Sequence, residues 1–491
     1  MQPALRHWEP HSSALICGSR FFQFPVNYAP NMTSIATEIF KAYDIRGIVD
    51  KSLTVDGVEL IGKALGSEAI KRGGTTIVIG RDGRLSGPKL SQALARGMQS
   101  TGINVIDIGV VATPIVYYAA IVLGAKSGVI VTGSHNPPDY NGIKMVIDGE
   151  TLALDAIQAL LRSIQAGDFI VGETPGSYRT HDSNDDYVNR IVGDVKLKRK
   201  MKIVMDCGNG SPAAIAVRLF EALGCEVVPL FCEVDGTFPN HHPDPSRPEN
   251  LKDVIRMLKE TDAELGIAFD GDGDRLGVVT KDGEIIFPDR QLMLFAADVL
   301  SRAPGGTVIF DVKCSRNVAP WIRKHGGVPM MWKTGHSLIK IKMKEVDSPI
   351  SGEMSGHVFI KERWYGFDDA LYCGARLLEI VSAYADANAP LKALPDAIST
   401  PELNWKLAEG EPHALIDALR ETATFAGAHE VITIDGLRVE YPDGFGLARA
   451  SNTTPVIVLR FEADSQVALD RIKEDFRRVL QSAKPEIPLP F

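Results

Sequence analysis

The chain is poor in the residues and patterns that would place it outside the ordinary enzymes. Its six cysteines, at positions 17, 207, 225, 232, 314 and 373, form no C-x-x-C pair and no compact metal-binding spacing, so they read as core filler in a reduced, cytoplasmic chain. No apolar run approaches the roughly 20 residues needed to cross a bilayer, which leaves no place for a membrane span. Basic residues are outnumbered, 53 Lys and Arg against 62 Asp and Glu, and the net charge of −9 speaks against nucleic acid as a partner. An anionic ligand must therefore be met by local basic residues and not by the field of the whole molecule. The first 31 residues, with Trp8, Pro10, Pro25, Pro30 and only a brief apolar patch around Ala14-Leu15-Ile16, are too weak for a signal peptide. They read as an irregular extension over 1–36, with translation expected to start at Met32.

What remains is an ordinary globular composition of 45% hydrophobic residues with mean hydropathy near zero. A prior of about 150 residues per domain predicts three or four domains. Strand-like runs alternate with helix-length segments, which indicates α/β layers. Polar clusters repeatedly follow the strand-like runs. Ser127-Gly128-Val129-Ile130-Val131 precedes Thr132-Gly133-Ser134-His135-Asn136-Pro137-Pro138, and Ala263-Glu264-Leu265-Gly266-Ile267-Ala268-Phe269 precedes Asp270-Gly271-Asp272-Gly273-Asp274-Arg275.

The aspartate loop spaces three carboxylates at alternate positions, with glycines that let the backbone turn, so hard oxygen ligands can converge on one cation. Mg²⁺ suits such a set because it accepts oxygen ligands and keeps positions for water or phosphate. An EF-hand does not fit: its twelfth position should be Glu and is Lys281. Ser134 is the nucleophile candidate, with Gly133, His135 and Asn136 lining an anion pocket. Asn136 stands where a nucleophile elbow needs its second glycine, so acyl transfer is not indicated. Together the two loops suggest phosphoryl transfer through a serine.

Further clusters follow the same order: Lys41-Ala42-Tyr43-Asp44-Ile45-Arg46-Gly47, Gly80-Arg81-Asp82-Gly83-Arg84, Asp311-Val312-Lys313-Cys314-Ser315-Arg316 and Lys333-Thr334-Gly335-His336-Ser337. Ser351-Gly352-Glu353-Met354-Ser355-Gly356-His357 places a carboxylate, a hydroxyl and an imidazole on one side of an extended loop, able to clasp vicinal sugar hydroxyls. Arg449-Ala450-Ser451-Asn452-Thr453-Thr454 makes a small nest suited to a phosphate dianion. Taken singly, each is a polar loop between core strands; jointly they are not.

From about Ile39 to the C-terminus this set resembles the α-D-phosphohexomutases, bacterial phosphomannomutase/phosphoglucomutase branch, the branch resting mainly on Met354 in the sugar loop. The resemblance implies three similar mixed α/β domains and a C-terminal α+β domain around one central cleft, the last of them mobile. The expected boundaries are 37–180, 181–284, 285–396 and 397–491, with residues 172–184 as the exit linker of the first domain. It implies that Ser134 is phosphorylated in the resting enzyme and that Asp270, Asp272 and Asp274 hold Mg²⁺ together with an oxygen of that phosphoserine. Arg275 would contact the reacting phosphoryl group. Tyr43, Arg46, His135, Lys144, Lys313 and His336 would line the cleft, with Lys144 as acid/base for the attacking hydroxyl. Glu353 and Ser355 would bind the sugar O3 and O4 groups and His357 would assist proton transfer, while Arg449, Ser451, Asn452 and Thr453 would grip the phosphate that is not reacting. The implied activity interconverts hexose 1- and 6-phosphates of mannose and glucose, in a monomer activated by hexose 1,6-bisphosphate. A phosphoglucosamine mutase or a sugar-phosphate phosphatase are the alternatives.

Overall fold

The computed structural model describes residues 35–491; all but the last two residues of the expected extension, with Met32 and Cys17, lie outside that range. Three of its four sheets repeat one arrangement. In the first, Thr76–Arg81 lies between Asn104–Val110 and Gly128–Val131, parallel to both, and Gly128–Val131 then pairs antiparallel with Tyr140–Ile147. In the second, Met201–Asp206 lies between Cys225–Leu230 and Leu265–Phe269, and the antiparallel neighbour is Leu276–Thr280. In the third, Thr307–Asp311 lies between Val328–Trp332 and Ile350–Gly352, followed by antiparallel Val358–Ile360. The fourth sheet is antiparallel, built around Val456–Ala463 and Gly444–Ala450 and packed against the helix Gln466–Ala483. The architecture is thus three mixed α/β domains followed by an α+β unit.

The repeat explains where polar residues can gather. The central strands are buried on both faces and so are apolar throughout, as in Ile77-Val78-Ile79 or the fully buried Leu265–Phe269. Only the ends of such strands can carry polar groups. In each of the three sheets the turn from the third parallel strand into its antiparallel neighbour opens at a carboxyl end, where open α/β sheets bind ligands. Those turns hold Ser134, the Asp270–Asp274 run and the Glu353–His357 run.

One continuous hydrophobic core joins the first three sheets, running from Val78 and Ile130 through Ile203 and Ile267 to Val308 and Ile350. The C-terminal sheet has its own core around Trp405, Leu459, Phe461 and Phe476. Its seam with the rest is mainly polar. Buried Arg438 donates to the Val312 and Cys314 carbonyls at 2.6 and 2.7 Å, and buried Arg460 donates to the Lys313 carbonyl at 2.5 Å. Glu462 accepts from Ser315 and from the Arg316 N–H. A small apolar contact of Val312 with Phe445 and Leu447 completes it.

Two local expectations change. The stretch 172–184 is not all linker: Tyr178–Thr180 adds a parallel edge strand beside Asn104–Val110. All three of its residues are exposed, so no apolar alternation marks it in the sequence. The Glu353–His357 run is a tight turn and not an extended loop, closed by bonds from the Glu353 N–H to the His357 carbonyl and from the Gly356 N–H to the Glu353 carbonyl.

The helices Val55–Lys71 and Gly87–Ser100 cover the first sheet, the former capped by Thr54, whose hydroxyl accepts the Gly57 N–H at 3.1 Å. They cross where Gly62 faces Gly97. A Cβ at Gly97 would collide with the Glu59 carbonyl and lie 2.9 Å from the Gly62 Cα. Gly97→Ala is therefore expected to force the helices apart and cost about 1–3 kcal/mol despite the better helix propensity of Ala, read as a lowered denaturation midpoint. An unchanged midpoint would show that the crossing yields freely.

Candidate active site

Ser134 sits in the turn after Gly128–Val131 with φ of +49°, a left-handed conformation that costs a non-glycine residue about 1–3 kcal/mol and persists only where the surroundings enforce it. The enforcing contacts are visible. The Ser134 N–H donates to the Thr132 hydroxyl at 2.8 Å, and the Gly133 N–H and the Thr132 hydroxyl both donate to Asp82, each at 2.9 Å. The Ser134 hydroxyl is left facing the aspartate loop, donating to Asp270 Oδ2 at 3.1 Å, with His135 Nδ1 also 3.1 Å away.

The aspartate loop is shaped by Asp270 itself. Its Oδ1 accepts the N–H groups of Gly273, Asp274 and Arg275 at 3.0 to 3.2 Å, which curls the chain and turns Asp272 and Asp274 to the same side. All three carboxylates are fully buried, and a ligand oxygen from each lies within 4.8 Å of the others. Lys144, 4% exposed, donates to Asp272 Oδ2 at 2.7 Å and also to Asp274. Thr113 donates to Asp272 Oδ2 at 2.5 Å. Burial, with repulsion from Asp274 and Asp272, pushes the Asp270 carboxyl well up. Asp272 Oδ1 is buried with no hydrogen-bond partner among the described residues, and Asp274 Oδ1 meets only His357 Nε2, at 3.3 Å. Converging carboxylate oxygens of this kind fit a small divalent cation.

The third turn closes on the same point. Arg275 Nε lies 3.4 Å from His357 Nε2, which is 3.3 Å from Asp274 Oδ1. His357 Nδ1 is 2.8 Å from the Ser355 hydroxyl and 3.3 Å from Glu353 Oε2. Burial pulls the His357 imidazolium down, but Asp274 and Glu353 more than offset it and hold its pKa up at about 9. Glu353 also accepts the Gly335 N–H at 2.5 Å, tying the turn to the loop that carries His336. The His336 ring stacks 5.4 Å from that of His357, and burial together with Lys340 and Lys144 keeps its pKa well below the usual range.

The remaining candidates form a more distal group. Tyr43 packs edge-on to His336 at 5.9 Å, and its carbonyl accepts the Ser337 hydroxyl. Arg46 pairs with Asp44 and donates to Asn136 Oδ1 at 2.9 Å, so it borders the serine turn. Lys313 is buried and pairs with Glu402 at 3.0 Å. Arg449 donates to Asp435 at 3.0 Å, yet its Nη2 is buried with no partner among the described residues. Beyond it Ser451 accepts the N–H groups of Thr453 and Thr454, and half-exposed Asn452 completes a concave turn. Ser451, Asn452 and Thr453 do not touch the serine or aspartate loops.

Several residues at this site were not singled out from the sequence. Asp82 and Thr113 brace the serine and aspartate loops. Asp368, fully buried, receives Lys340 at 2.9 Å and lies 3.6 Å from His336. Asp435 accepts both Arg449 and the Thr334 N–H, bridging the fourth sheet to the third. Asp435 stands in a D-G turn and Asp368 in a D-D pair, patterns that by themselves say only that the chain turns.

Comparison with known proteins agrees with this geometry. Four family models match in order: phosphoglucomutase/phosphomannomutase alpha/beta/alpha domain I over residues 37–171, domain II over 185–283, domain III over 287–398 and the C-terminal domain over 402–479. A phosphoglucomutase of Neisseria meningitidis is 59% identical, covering 92% of this chain and 98% of its own length. A phosphomannomutase/phosphoglucomutase of Pseudomonas putida is 56% identical, covering 93% and 98%. The crystal structure of a phosphoglucomutase/phosphomannomutase family protein from Burkholderia thailandensis, 60% identical, superposes with a TM-score of 0.89 over 93% of this chain and all of that one. Matched through all four domains and at this level of identity, the chain belongs to the phosphoglucomutase/phosphomannomutase family.

Proposed function

We propose that the chain interconverts the 1- and 6-phosphates of glucose and mannose, passing the phosphoryl group through Ser134 and a hexose 1,6-bisphosphate that turns over in the cleft. The observation that carries this reading is the orphaned guanidinium nitrogen of buried Arg449, which would supply the second of the two phosphate ends that the reaction needs. Ser134 and the three carboxylates make one, and Arg449 with its orphaned Nη2 makes the other. A phosphatase needs only the first.

Asp270, Asp272 and Asp274 would hold Mg²⁺ with a phosphoserine oxygen; when bound, the cation neutralises the phosphoryl oxygens as the P–O bonds loosen. Arg275 adds a positive charge of fixed direction beside them. Lys144, bonded to Asp272 and Asp274, would exchange a proton with the attacking hydroxyl, and His357 would assist. Glu353 and Ser355 address the sugar 3- and 4-hydroxyls. These groups lie near the turning axis of the bisphosphate, so one turn can serve both orientations and ignore the configuration at C2. Tyr43, Arg46, His135, Lys313 and His336 complete the walls, and Arg449, Ser451, Asn452 and Thr453 hold the phosphate that waits.

The test is to supply glucose 1-phosphate with Mg²⁺ and a trace of glucose 1,6-bisphosphate, following glucose 6-phosphate and free phosphate together. Glucose 6-phosphate without phosphate release supports the mutase, and mannose 1-phosphate then sets the preference. Phosphate release would support a hydrolase; silence on both sugars, with turnover of glucosamine phosphate, would move the chain to another specificity.

A further inference from the structure

The cluster Asp82-Gly83-Arg84 takes no part in the chemistry above, yet Arg84 is 1% exposed and makes more contacts to the serine turn than any residue outside it. Its Nη1 donates to the carbonyls of Pro137 and Tyr140 at 2.5 and 3.1 Å, and its Nη2 to those of Ser134 and Asn136 at 2.9 and 2.6 Å. Its Nε donates to Asp82 at 3.1 Å, and the same carboxylate takes the Gly133 N–H and the Thr132 hydroxyl. The pair thus grips the turn from both sides, Asp82 by its donors and Arg84 by its acceptors. A Cβ at Gly133 would collide with the guanidinium, so the turn is moulded on it.

The repeat in the fold sharpens the point. Asp82 directly follows the middle of the three repeated parallel strands of its sheet, Thr76–Arg81, and Asp311 ends the equivalent strand Thr307–Asp311. Each accepts an N–H from the turn after the third strand, Gly133 at 2.9 Å and Met354 at 3.0 Å. In the third sheet Lys313, two residues on, pairs with Glu402; in the first, Arg84 turns back onto its own turn. Phe238 of the second domain lies over the guanidinium at 5.0 Å, and Gly236 packs on the Gly83–Arg84 backbone. The segment that carries Arg84 is therefore held by both domains that meet at the metal loop.

We propose that Arg84, set by Asp82, is the positioning residue that keeps Ser134 in its left-handed conformation and aims its oxygen at the carboxylates, and so governs phosphoryl transfer without touching substrate. The proposal rests on the reading of Ser134 as nucleophile. Lysine keeps the charge but cannot present a planar fork to four carbonyls. Arg84→Lys is expected to leave KM for glucose 1-phosphate nearly unchanged while kcat falls about a hundredfold, the scale set by misplacement of a reacting group by about 1 Å. Asp82→Asn should give the same split. In Arg84→Ala, added guanidinium ion should restore part of kcat, and ammonium ion should not.

Each variant is compared with wild type for thermal midpoint, and for transfer of phosphate from glucose 1,6-bisphosphate to the protein by intact mass. If wild type carries no phosphate on the protein either as purified or after glucose 1,6-bisphosphate, the reading of Ser134 fails. If wild type is phosphorylated while both Arg84→Lys and Asp82→Asn keep wild-type kcat, or lose activity only in proportion to the unfolded fraction with no guanidinium rescue, the positioning role is overturned and Ser134 stands.

Discussion

Ser134→Ala is expected to leave a folded protein, with an unchanged thermal midpoint, that takes up no phosphoryl group from glucose 1,6-bisphosphate and turns over glucose 1-phosphate about 10⁴-fold or more slowly. The scale follows from removing a covalent nucleophile from a site whose remaining groups only bind and polarise. The fold should tolerate the change because the serine hydroxyl makes no contact that holds the turn. Its bonds run to Asp270 and His135, whereas the turn is held through the Ser134 N–H and carbonyl. Alanine pays the same left-handed strain as serine. Residual phosphorylation of the Ala variant would assign the nucleophile elsewhere, and loss of the fold would show that the hydroxyl is structural.

Asp272→Asn, or removal of divalent cations by chelation, is the second large effect. Losing a Lewis acid worth several kcal/mol to the transition state should slow turnover about a thousandfold. In the wild type, Mg²⁺ should restore activity after chelation. It should also raise the thermal midpoint, because a cation at about a hundred times its Kd stabilises the native state by about 2.7 kcal/mol. In Asp272→Asn the midpoint should no longer respond to Mg²⁺, since the buried carboxylate whose Oδ1 has no partner among the described residues is then an amide. Metal-independent activity in the chelated wild type would remove the cation from the mechanism and leave Lys144 as the charge that serves the carboxylates.

The two loops on which these predictions rest are legible in sequence for a structural reason. Each is the turn between strands that are neighbours in both sequence and space, so its residues act together and also appear together. The supports of those loops are not legible in this way. Arg84 reaches carbonyls 50 to 56 positions away, and Thr113 reaches Asp272 across 159. The first closure depends on how the first domain folds back on itself and the second on how that domain meets the next, which no local pattern records. Gly80-Arg81-Asp82-Gly83-Arg84 is therefore visible in the sequence only as a polar cluster after a strand-like run, with no sign that Asp82 and Arg84 are buried. Asp435 is hidden likewise: its role appears only when the Thr334 N–H arrives from the neighbouring sheet.

The polar character of the last seam separates two kinds of opening. Parting the C-terminal unit from the third sheet uncovers guanidinium groups and carbonyls that water can satisfy, together with a small apolar contact of Val312 and Met331 with Phe445, Leu447 and Ile434. Heat capacity and denaturant sensitivity both follow the area exposed, and polar exposure lowers the former where apolar exposure raises it. Parting this unit is thus a transition of small heat-capacity change, whose enthalpy and entropy vary little with temperature. Unfolding the shared core of the first three sheets is steep in both. The last seam can therefore open without uncovering the apolar core that the first three sheets share.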